Sequence, residues 1–541
     1  MQFLKGFLWI GLVIHFCVFM TFASFGSQGK KNAKEDPKTV EVRDHKGGQQ
    51  LYGKHCATCH GEDRFGRMGP ALIPETLRRV KPAEAKDLIT NGRPLTQMPG
   101  FKATLSIEDI AALSDYIYSP VSGNPDWTLK DIEQSHKVLG QPGKQGDKPQ
   151  HTAALPNMFV VVEAGDHHVT ILDGDRMHPL ARIKTPFALH GGPKFSQDGR
   201  FVFMVSRDGW VSRLDMFQLK MTAEIRAGLN SRNLALSADG RFVMVANYLP
   251  ATLTVLDAET LRPIKVIEVK NAKGVNSRVS AVYTVPNRSS FVAALKDFPE
   301  IWEVSYSDSP DSSFYKGVVH DYSKESGEPI KVDRFAIRAM DLPMILDDFF
   351  FDPDFYNIIG ASRDGGKAGV FSLIAGRSIA TIDVPGLPHL GSGISWERDG
   401  KVLMASPNLS EGVISIIELG TWKVLKRIET AGPGFFIRSH ENSKYAWADA
   451  FMSKKKDTIY IIDKQKLEVV KELTPIPGKT AAHIEFTKDG RFALLSIWED
   501  DGMLIVYDAE KLTEVKRLPM KKPVGKYNVF NKTHYSSGTS R

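Results

Sequence analysis

Phe195-Ser196-Gln197-Asp198-Gly199-Arg200-Phe201 decides the fold, because the chain says it again. Leu236-Ser237-Ala238-Asp239-Gly240-Arg241-Phe242 echoes it 41 residues on. Trp396-Glu397-Arg398-Asp399-Gly400-Lys401 and Phe486-Thr487-Lys488-Asp489-Gly490-Arg491-Phe492 repeat it 90 residues apart, two units of 45. An Asp-Gly pair between apolar alternating runs is a hairpin signal. Behind each hairpin comes a strand ending near Asp, as in Thr254-Val255-Leu256-Asp257, Tyr460-Ile461-Ile462-Asp463 and Ile505-Val506-Tyr507-Asp508, and then a last strand such as Glu468-Val469-Val470-Lys471. Four strands in each unit of about 40–50 residues make a β-propeller blade. Inner strands are expected to begin near Pro193, Asn233, Val279, Ala336, Gly393, Phe435 and Ala481, which gives seven units. Ahead of them stand only three strands, around Phe159–Val162, Val169–Leu172 and Ala181–Ile183; the orphan Tyr527-Asn528-Val529-Phe530 at the other end supplies the fourth. The expectation is an eight-bladed propeller over residues 156–541, closed by strands from both ends so that no sheet edge is exposed. A seven-bladed ring or a double sandwich is the alternative.

Outward from the repeats, the N-terminal part carries a different chemistry. Cys56-Ala57-Thr58-Cys59-His60 is a covalent haem attachment site: two thiols three positions apart add to haem vinyl groups, and the adjacent imidazole sits under the iron. Tyr52 and Gly53 precede it, Gly69-Pro70-Ala71-Leu72 follows, and Asn91-Gly92, Gln97-Met98-Pro99-Gly100-Phe101 and an apolar-periodic helix ending near Tyr116-Ile117 complete the pattern. Residues 46–120 therefore resemble a class I cytochrome c domain, an α-helical unit in front of an all-β one. Met98, 38 residues after His60 and before a proline, is the expected sixth iron ligand, with Met68 and His55 as rivals. Residues 121–155, with Pro120, Gly123-Asn124-Pro125 and Gly140-Gln141-Pro142-Gly143, read as a linker with little periodic structure.

Address and charge follow. Lys5, the apolar run Phe7–Phe25 and the small residues Ala23, Ser24, Gly26 and Ser27 read as a secretory signal over residues 1–27, with a retained anchor as the rival; 28–45 is a linker. Removal of the signal leaves Cys56 and Cys59 as the only cysteines, no disulfide and no membrane span, and places the protein in the periplasm, where c-type haem is attached. The formal charge of +7 is small for 541 residues and spread along the chain, with no nucleic-acid signature.

Repeats also permit a geometric inference. Residues six to ten positions before an Asp-Gly turn begin an inner strand and face one mouth of the central channel. That phase holds His190, Arg232, His389 and His483, and Arg278, Arg338 and Arg438 stand near the equivalent start of irregular blades. Imidazoles and guanidiniums converging on one mouth are costly unless a ligand needs them. An anionic macrocycle with a central metal fits, imidazoles taking the iron and guanidiniums the carboxylates.

A signal, a small cytochrome c domain and an eight-bladed propeller together resemble the d1-haem nitrite reductase (cytochrome cd1) family over nearly the whole mature chain. Pro186-Phe187-Ala188-Leu189-His190 with Arg207-Asp208 is similar to that family's proximal-histidine region, and Asn247-Tyr248-Leu249-Pro250 and Ser496-Ile497-Trp498 to its haem-contact segments. The reductases carry two histidines over the iron. At those segments this chain reads Ala293-Ala294-Leu295-Lys296-Asp297-Phe298-Pro299-Glu300 and Ile345-Leu346-Asp347-Asp348-Phe349, without either. What stands instead, Leu387-Pro388-His389-Leu390-Gly391-Ser392-Gly393, Arg438-Ser439-His440-Glu441-Asn442 and Thr480-Ala481-Ala482-His483, resembles the NirN-type dihydro-haem d1 dehydrogenase branch, an oxidoreductase branch serving haem d1 biosynthesis for denitrification.

The resemblance implies a covalent haem c on Cys56 and Cys59, with His60 and Met98 on its iron, and a second, non-covalent haem d1 or dihydro-haem d1. His190 and His389 are expected on that iron, with Arg207, Arg232, Tyr248, Arg438 and Trp498 around the macrocycle. His483 or His389 is the base, with an ordinary imidazole pKa near ~6.5; His440 is the next candidate. The branch dehydrogenates a propionate to an acrylate and passes electrons to haem c. Its implied partners are the tetrapyrrole, a d1-haem nitrite reductase, a further biosynthetic protein and a periplasmic electron acceptor. A carrier that delivers haem d1, and a residual nitrite reductase, are the competing readings.

Overall fold

The computed structural model describes residues 46–538 apart from 68, 79, 93–97, 123–124, 141–145, 147, 187, 311–313, 315–333, 363–365 and 536. The signal, its linker and the rival ligand Met68 lie outside the described residues, and no described helix is long and apolar enough to cross a membrane.

Residues 46–120 build four helices: α1 Lys46–His55, α2 Ala57–His60, α3 Pro82–Asn91 and α4 Ile107–Ile117. Pro82 opens α3, where a missing N–H costs nothing. A reciprocal Ser106/Asp109 capping box starts α4, whose buried stripe Ile110, Leu113 and Ile117 meets Tyr52, Ala57, Leu77, Ala85 and Ile89 in one core. Residues 121–155 are more structured than expected. They hold a short helix, Leu129–Gln134, and a strand, Lys137–Val138, that adds a fifth member to a propeller sheet by pairing with Glu224 and Ala223.

Eight antiparallel sheets follow, as the repeats predict. Pro523–Asn528 pairs with Met158–Glu163, so one blade is shared between distant parts of the chain, with Phe159 opposite Asn528 and Val161 opposite Lys526. The other inner strands are Leu189–Phe195, Asn230–Leu236, Val279–Val285, Asp348–Phe351, Ile394–Arg398, Ile437–Arg438 and Ala481–Phe486. At the repeated turn Ser196, Ser237 and Thr487 each give a hydroxyl to the Asp two residues on, and Gly199, Gly240, Gly400 and Gly490 take φ of 71–75°, which a side chain would resist.

One expected boundary is wrong. Ala336 does not open an inner strand; Ile337–Asp341 is the outer strand of the blade begun at Val279, and the next inner strand starts at Asp348. About thirty residues inserted after Ser305 separate that blade's third and fourth strands and disguise the period. Arg338 is accordingly no channel residue: it lies against Glu303 at 3.3 Å and donates to the Leu373 and Ile374 carbonyls.

Past the closing strand, residues 529–538 cross the channel near the Asp-Gly-turn end of the inner strands. Asn531 donates to Glu485 and to the Phe486 carbonyl, Tyr535 meets Phe355, and Gly538 bonds both Ser395 and Ser439 through its backbone.

Candidate functional site

Two sites emerge, one in each unit. In the helical unit Cys56 and Cys59 are unbridged thiols flanking the start of α2, and burial pushes Cys56 up to about 11 and also raises Cys59. His60 is 7% exposed, and its Nδ1 lies 2.8 Å from the Pro70 carbonyl. A carbonyl only accepts, so Nδ1 carries the proton and Nε2 keeps its lone pair for a metal. Gly69 makes the space: a methyl there would stand 2.5–3.0 Å from three atoms of that ring. Tyr52 ties α1 to the loop by donating to the Gly61 carbonyl at 2.8 Å. Met98 packs on the same core, on a segment held to α3 by Phe101 N–H to Ile89 and by Gly92 and Gly100, whose backbones touch. His55, the other rival, rests its ring on Phe101. Two thiols, an oriented imidazole and an apolar wall fit a covalently held haem.

The second site is the channel mouth at the start of the inner strands. His389 repeats the arrangement of His60: Nδ1 lies 2.7 Å from the Phe435 carbonyl, which leaves Nε2 the lone pair, and Asp348 Oδ2 stands 3.9 Å from Nε2. Burial lowers the His389 pKa, partly offset by Asp348 and the Phe435 bond. Phe436 then forms a hub, with ring centroids 6.5 Å from His389, 4.6 Å from His483 and 6.0 Å from Trp498. The structure thus brings His389, His483 and Trp498 together on a wall that the sequence reading did not contain. His190 lies in the strand Leu189–Phe195, its backbone opposite Val205; its side chain falls outside the described ones.

The reading of His483 as an ordinary imidazole needs correction. It is 1% exposed, and burial together with Lys526, Arg438 and Lys532 drives its pKa well below the usual value. Lys526 is itself fully buried and well below its usual range, chiefly by desolvation. Its Nζ donates to the His483 carbonyl and to Ser496 Oγ (2.7 Å), and lies 3.4 Å from His483 Nδ1. Three polar atoms therefore converge on one buried nitrogen, which ties the His483 ring and its backbone to the closing strand. His483 Nε2 and Trp498 Nε1 are buried without a hydrogen-bond partner among the described residues. Orphaned buried polar atoms at one aromatic wall are expensive, and polar groups on a bound macrocycle would satisfy them.

Asp449, also missed, organises this wall. Its carboxylate accepts from Phe435 N–H at 2.7 Å, and from the N–H groups of Phe436 and His483, while burial raises it to about 7. The signal was present: the strand Tyr445-Ala446-Trp447-Ala448-Asp449 ends a buried run with a lone carboxylate. His440 is not at the mouth. It sits at the turn end, where Asn442 N–H donates to its Nδ1 and Gly490 leaves room for the ring.

Cations gather around Tyr248, and Arg438 stands on the aromatic wall itself, its guanidinium carbon 5.6 Å from the Phe436 ring centroid. Burial alone would raise the Tyr248 phenol, yet Arg232, Lys296, Arg207 and Arg278 outweigh it and bring it to about 7. Arg438 is 4% exposed, donates to the Ser392 carbonyl at 2.9 Å, and keeps Nε without a partner among the described residues. Arg278, expected among the guanidiniums that take the carboxylates, is instead committed to Asp297 at 2.6 Å. Lys296 and Asp347 are joined at 2.7 Å. The helical unit packs on the propeller where Ala71 and Ile73 meet Leu229 and Leu249.

Comparison with known proteins completes the picture. The family model "Cytochrome D1 heme domain" matches residues 153–532, and "Cytochrome C oxidase, cbb3-type, subunit III" matches 43–117. A dihydro-heme d1 dehydrogenase of Pseudomonas aeruginosa is 51% identical over 91% of this chain and 95% of its own length. A solved structure of dihydro-heme d1 dehydrogenase NirN in complex with DHE superposes with a TM-score of 0.75 at 51% identity, covering 90% of this chain and all of that one. A nitrite reductase of Stutzerimonas stutzeri is 25% identical over 89% of this chain and 92% of its own.

Proposed function

The chain belongs to the cytochrome d1 haem-domain family, and from that premise we propose that it is a dihydro-haem d1 dehydrogenase acting in haem d1 biosynthesis. The reaction converts a propionate arm, –CH2–CH2–COO⁻, into an acrylate, –CH=CH–COO⁻, releasing two protons and two electrons. One observation carries the choice over nitrite reduction. The two segments where the reductases bring histidines are closed on each other by the Lys296–Asp347 ion pair, while a neutral, buried imidazole waits at the mouth. Such a site removes protons better than it supplies them.

His60 and Met98, with Cys56 and Cys59, would hold haem c, which when bound supplies a one-electron acceptor near the mouth. His190 and His389 take the iron of the substrate; the His389 Nδ1 anchor on a backbone carbonyl is the support a metal-bound imidazole has. Arg207, Arg232 and Arg438 with Tyr248 receive the carboxylates. His483 Nε2 accepts one of the two protons, and the other passes to solvent. Lys526 braces the ring from its Nδ1 side at 3.4 Å, and the negative charge of the incoming carboxylates raises a pKa that burial and the neighbouring cations depress. Trp498 Nε1–H donates to an acceptor on the macrocycle rim. The protein works in the periplasm, passes electrons to a soluble acceptor there, and sends its product toward a d1-haem nitrite reductase.

The test is anaerobic incubation of the haem c-loaded protein with dihydro-haem d1, following the pigment spectrum and haem c reduction together. Conversion is expected, with two equivalents of haem c reduced for each dihydro-haem d1 oxidised. Tight binding without conversion makes the protein a carrier and overturns the reading.

A further inference from the structure

Arg278 stands just before the inner strand Val279–Val285, yet its donors are committed to Asp297 and to the helical unit. Its backbone N–H, Nε and Nη2 all go to Asp297, at 2.9, 3.0 and 2.6 Å. The remaining arm, Nη1, leaves the propeller and donates to the Thr76 carbonyl of the helical unit at 2.8 Å. Thr76 is 8% exposed, and its Oγ1 donates to the Ala71 carbonyl at 2.8 Å, which folds residues 71–76 into a compact bow. Ala71 follows Pro70, whose carbonyl holds His60 Nδ1. On the other side, the guanidinium carbon lies 5.7 Å from the Tyr248 ring centroid. An unbroken run of hydrogen bonds and short covalent links thus joins the haem-iron ligand His60 to the cationic cluster at the propeller mouth.

We propose that Arg278 is a positioning residue, a latch that uses Asp297 as its fixed end and Thr76 as its catch to hold the His60 loop against the tetrapyrrole mouth. This rests on the dehydrogenase reading only for its effect on turnover. The catch is a single charge-assisted bond beside a small apolar contact of Ala71 and Ile73 with Leu229 and Leu249, so losing it frees the loop without unfolding either unit. A charge-assisted bond accounts for about a tenfold to a hundredfold in such an opening equilibrium.

Two variants test it in haem c-loaded protein. Arg278→Lys keeps a cation for Asp297 but cannot span both partners; Thr76→Val leaves the Arg278–Asp297 pair untouched and loosens the bow. Hydrogen exchange of the amides of 71–77, measured without substrate, is expected to rise about tenfold or more in both. With dihydro-haem d1, kcat falls about tenfold while KM holds, and reduction of haem c by ascorbate is unchanged. Wild-type exchange in Arg278→Lys overturns the latch, whatever Thr76→Val shows, because the valine keeps the carbonyl that is the catch. A rise in KM at constant kcat overturns it too, because Arg278 would then be a carboxylate clamp. If the wild-type protein converts no substrate, the dehydrogenase reading fails, whereas the exchange result still decides the latch.

Discussion

Gly69→Ala puts one methyl where the structure has no room for it. An ideal Cβ would lie 2.5 Å from Cε1, 2.6 Å from Nδ1 and 3.0 Å from Nε2 of His60. Ordinary carbon contacts are about 3.5–4.0 Å, so the ring or the loop must give by roughly 1 Å. Neither retreats freely. Gly69 N–H is bonded to the Cys59 carbonyl at 2.7 Å, and the ring is tied to Pro70 at 2.8 Å. Overpacking of this kind costs about 1–3 kcal/mol, and losing the Pro70 bond adds about 0.5–1.5 kcal/mol. The two cysteines are untouched, so covalent haem content by mass spectrometry should match the wild type. The His60–iron bond should not survive unchanged. We expect a high-spin fraction in the optical spectrum and a displaced potential, since strain felt by one oxidation state alone moves a one-electron couple by about 59 mV for each tenfold in its equilibrium. A variant with the wild-type spectrum and potential would show that Gly69 does not shape the His60 seat and would refute this arrangement of the haem c site.

The remaining predictions concern the propeller. His483→Ala should bind dihydro-haem d1 with little loss but convert it about 10²–10⁴-fold more slowly; full activity with intact binding would remove His483 from the chemistry. His389→Ala should turn a low-spin d1-type iron high-spin in the loaded oxidised protein, and an unaltered spectrum would leave His389 off the metal. Thermal stability should rise with pH between about 8 and 9.5. Lys194 and Lys532 are lowered by burial to about 8 when folded, so over this window the unfolded chain binds more protons. Each such lysine steepens the stability curve by up to about 1.4 kcal/mol per pH unit. Calorimetry on Lys532→Met should give a flatter profile, and an equally steep one would refute the assignment.

The blade count was legible because the Asp-Gly turn demands one backbone conformation, and therefore one local sequence, at 196–201, 237–242 and 487–492, with a tighter two-residue variant at Asp399-Gly400, where both residues take positive φ. The helical unit was legible for a similar reason, since covalent attachment leaves few choices for Cys56, Cys59 and His60. Ala336 was misplaced because a long insertion separates two strands that pair in space, and alternation alone does not say which strand of a blade it marks. At the channel mouth, position could be read from the repeat but environment could not. His483 had the right phase, yet Lys526, which sets its protonation, arrives from a closing strand 43 residues further along. Asp449 acts through three backbone N–H groups, which carry no side-chain signature. Arg278 looked like its neighbours until its four bonds were counted.

The closing strand has a consequence for how the molecule is made. Val161 and Lys526 are register partners 365 residues apart, and the segment after that strand bolts onto Ser395, Ser439 and Glu485 from within the ring. Seven sheets can assemble as their residues become available, but the first has to keep an unpaired edge until residues 523–528 arrive. Completion of the circle is therefore the late, high-separation event of folding. During that wait Met158–Glu163 is a fully buried-type strand with no partner on one side, an adhesive edge. Any truncation before residue 523 would make that exposure permanent.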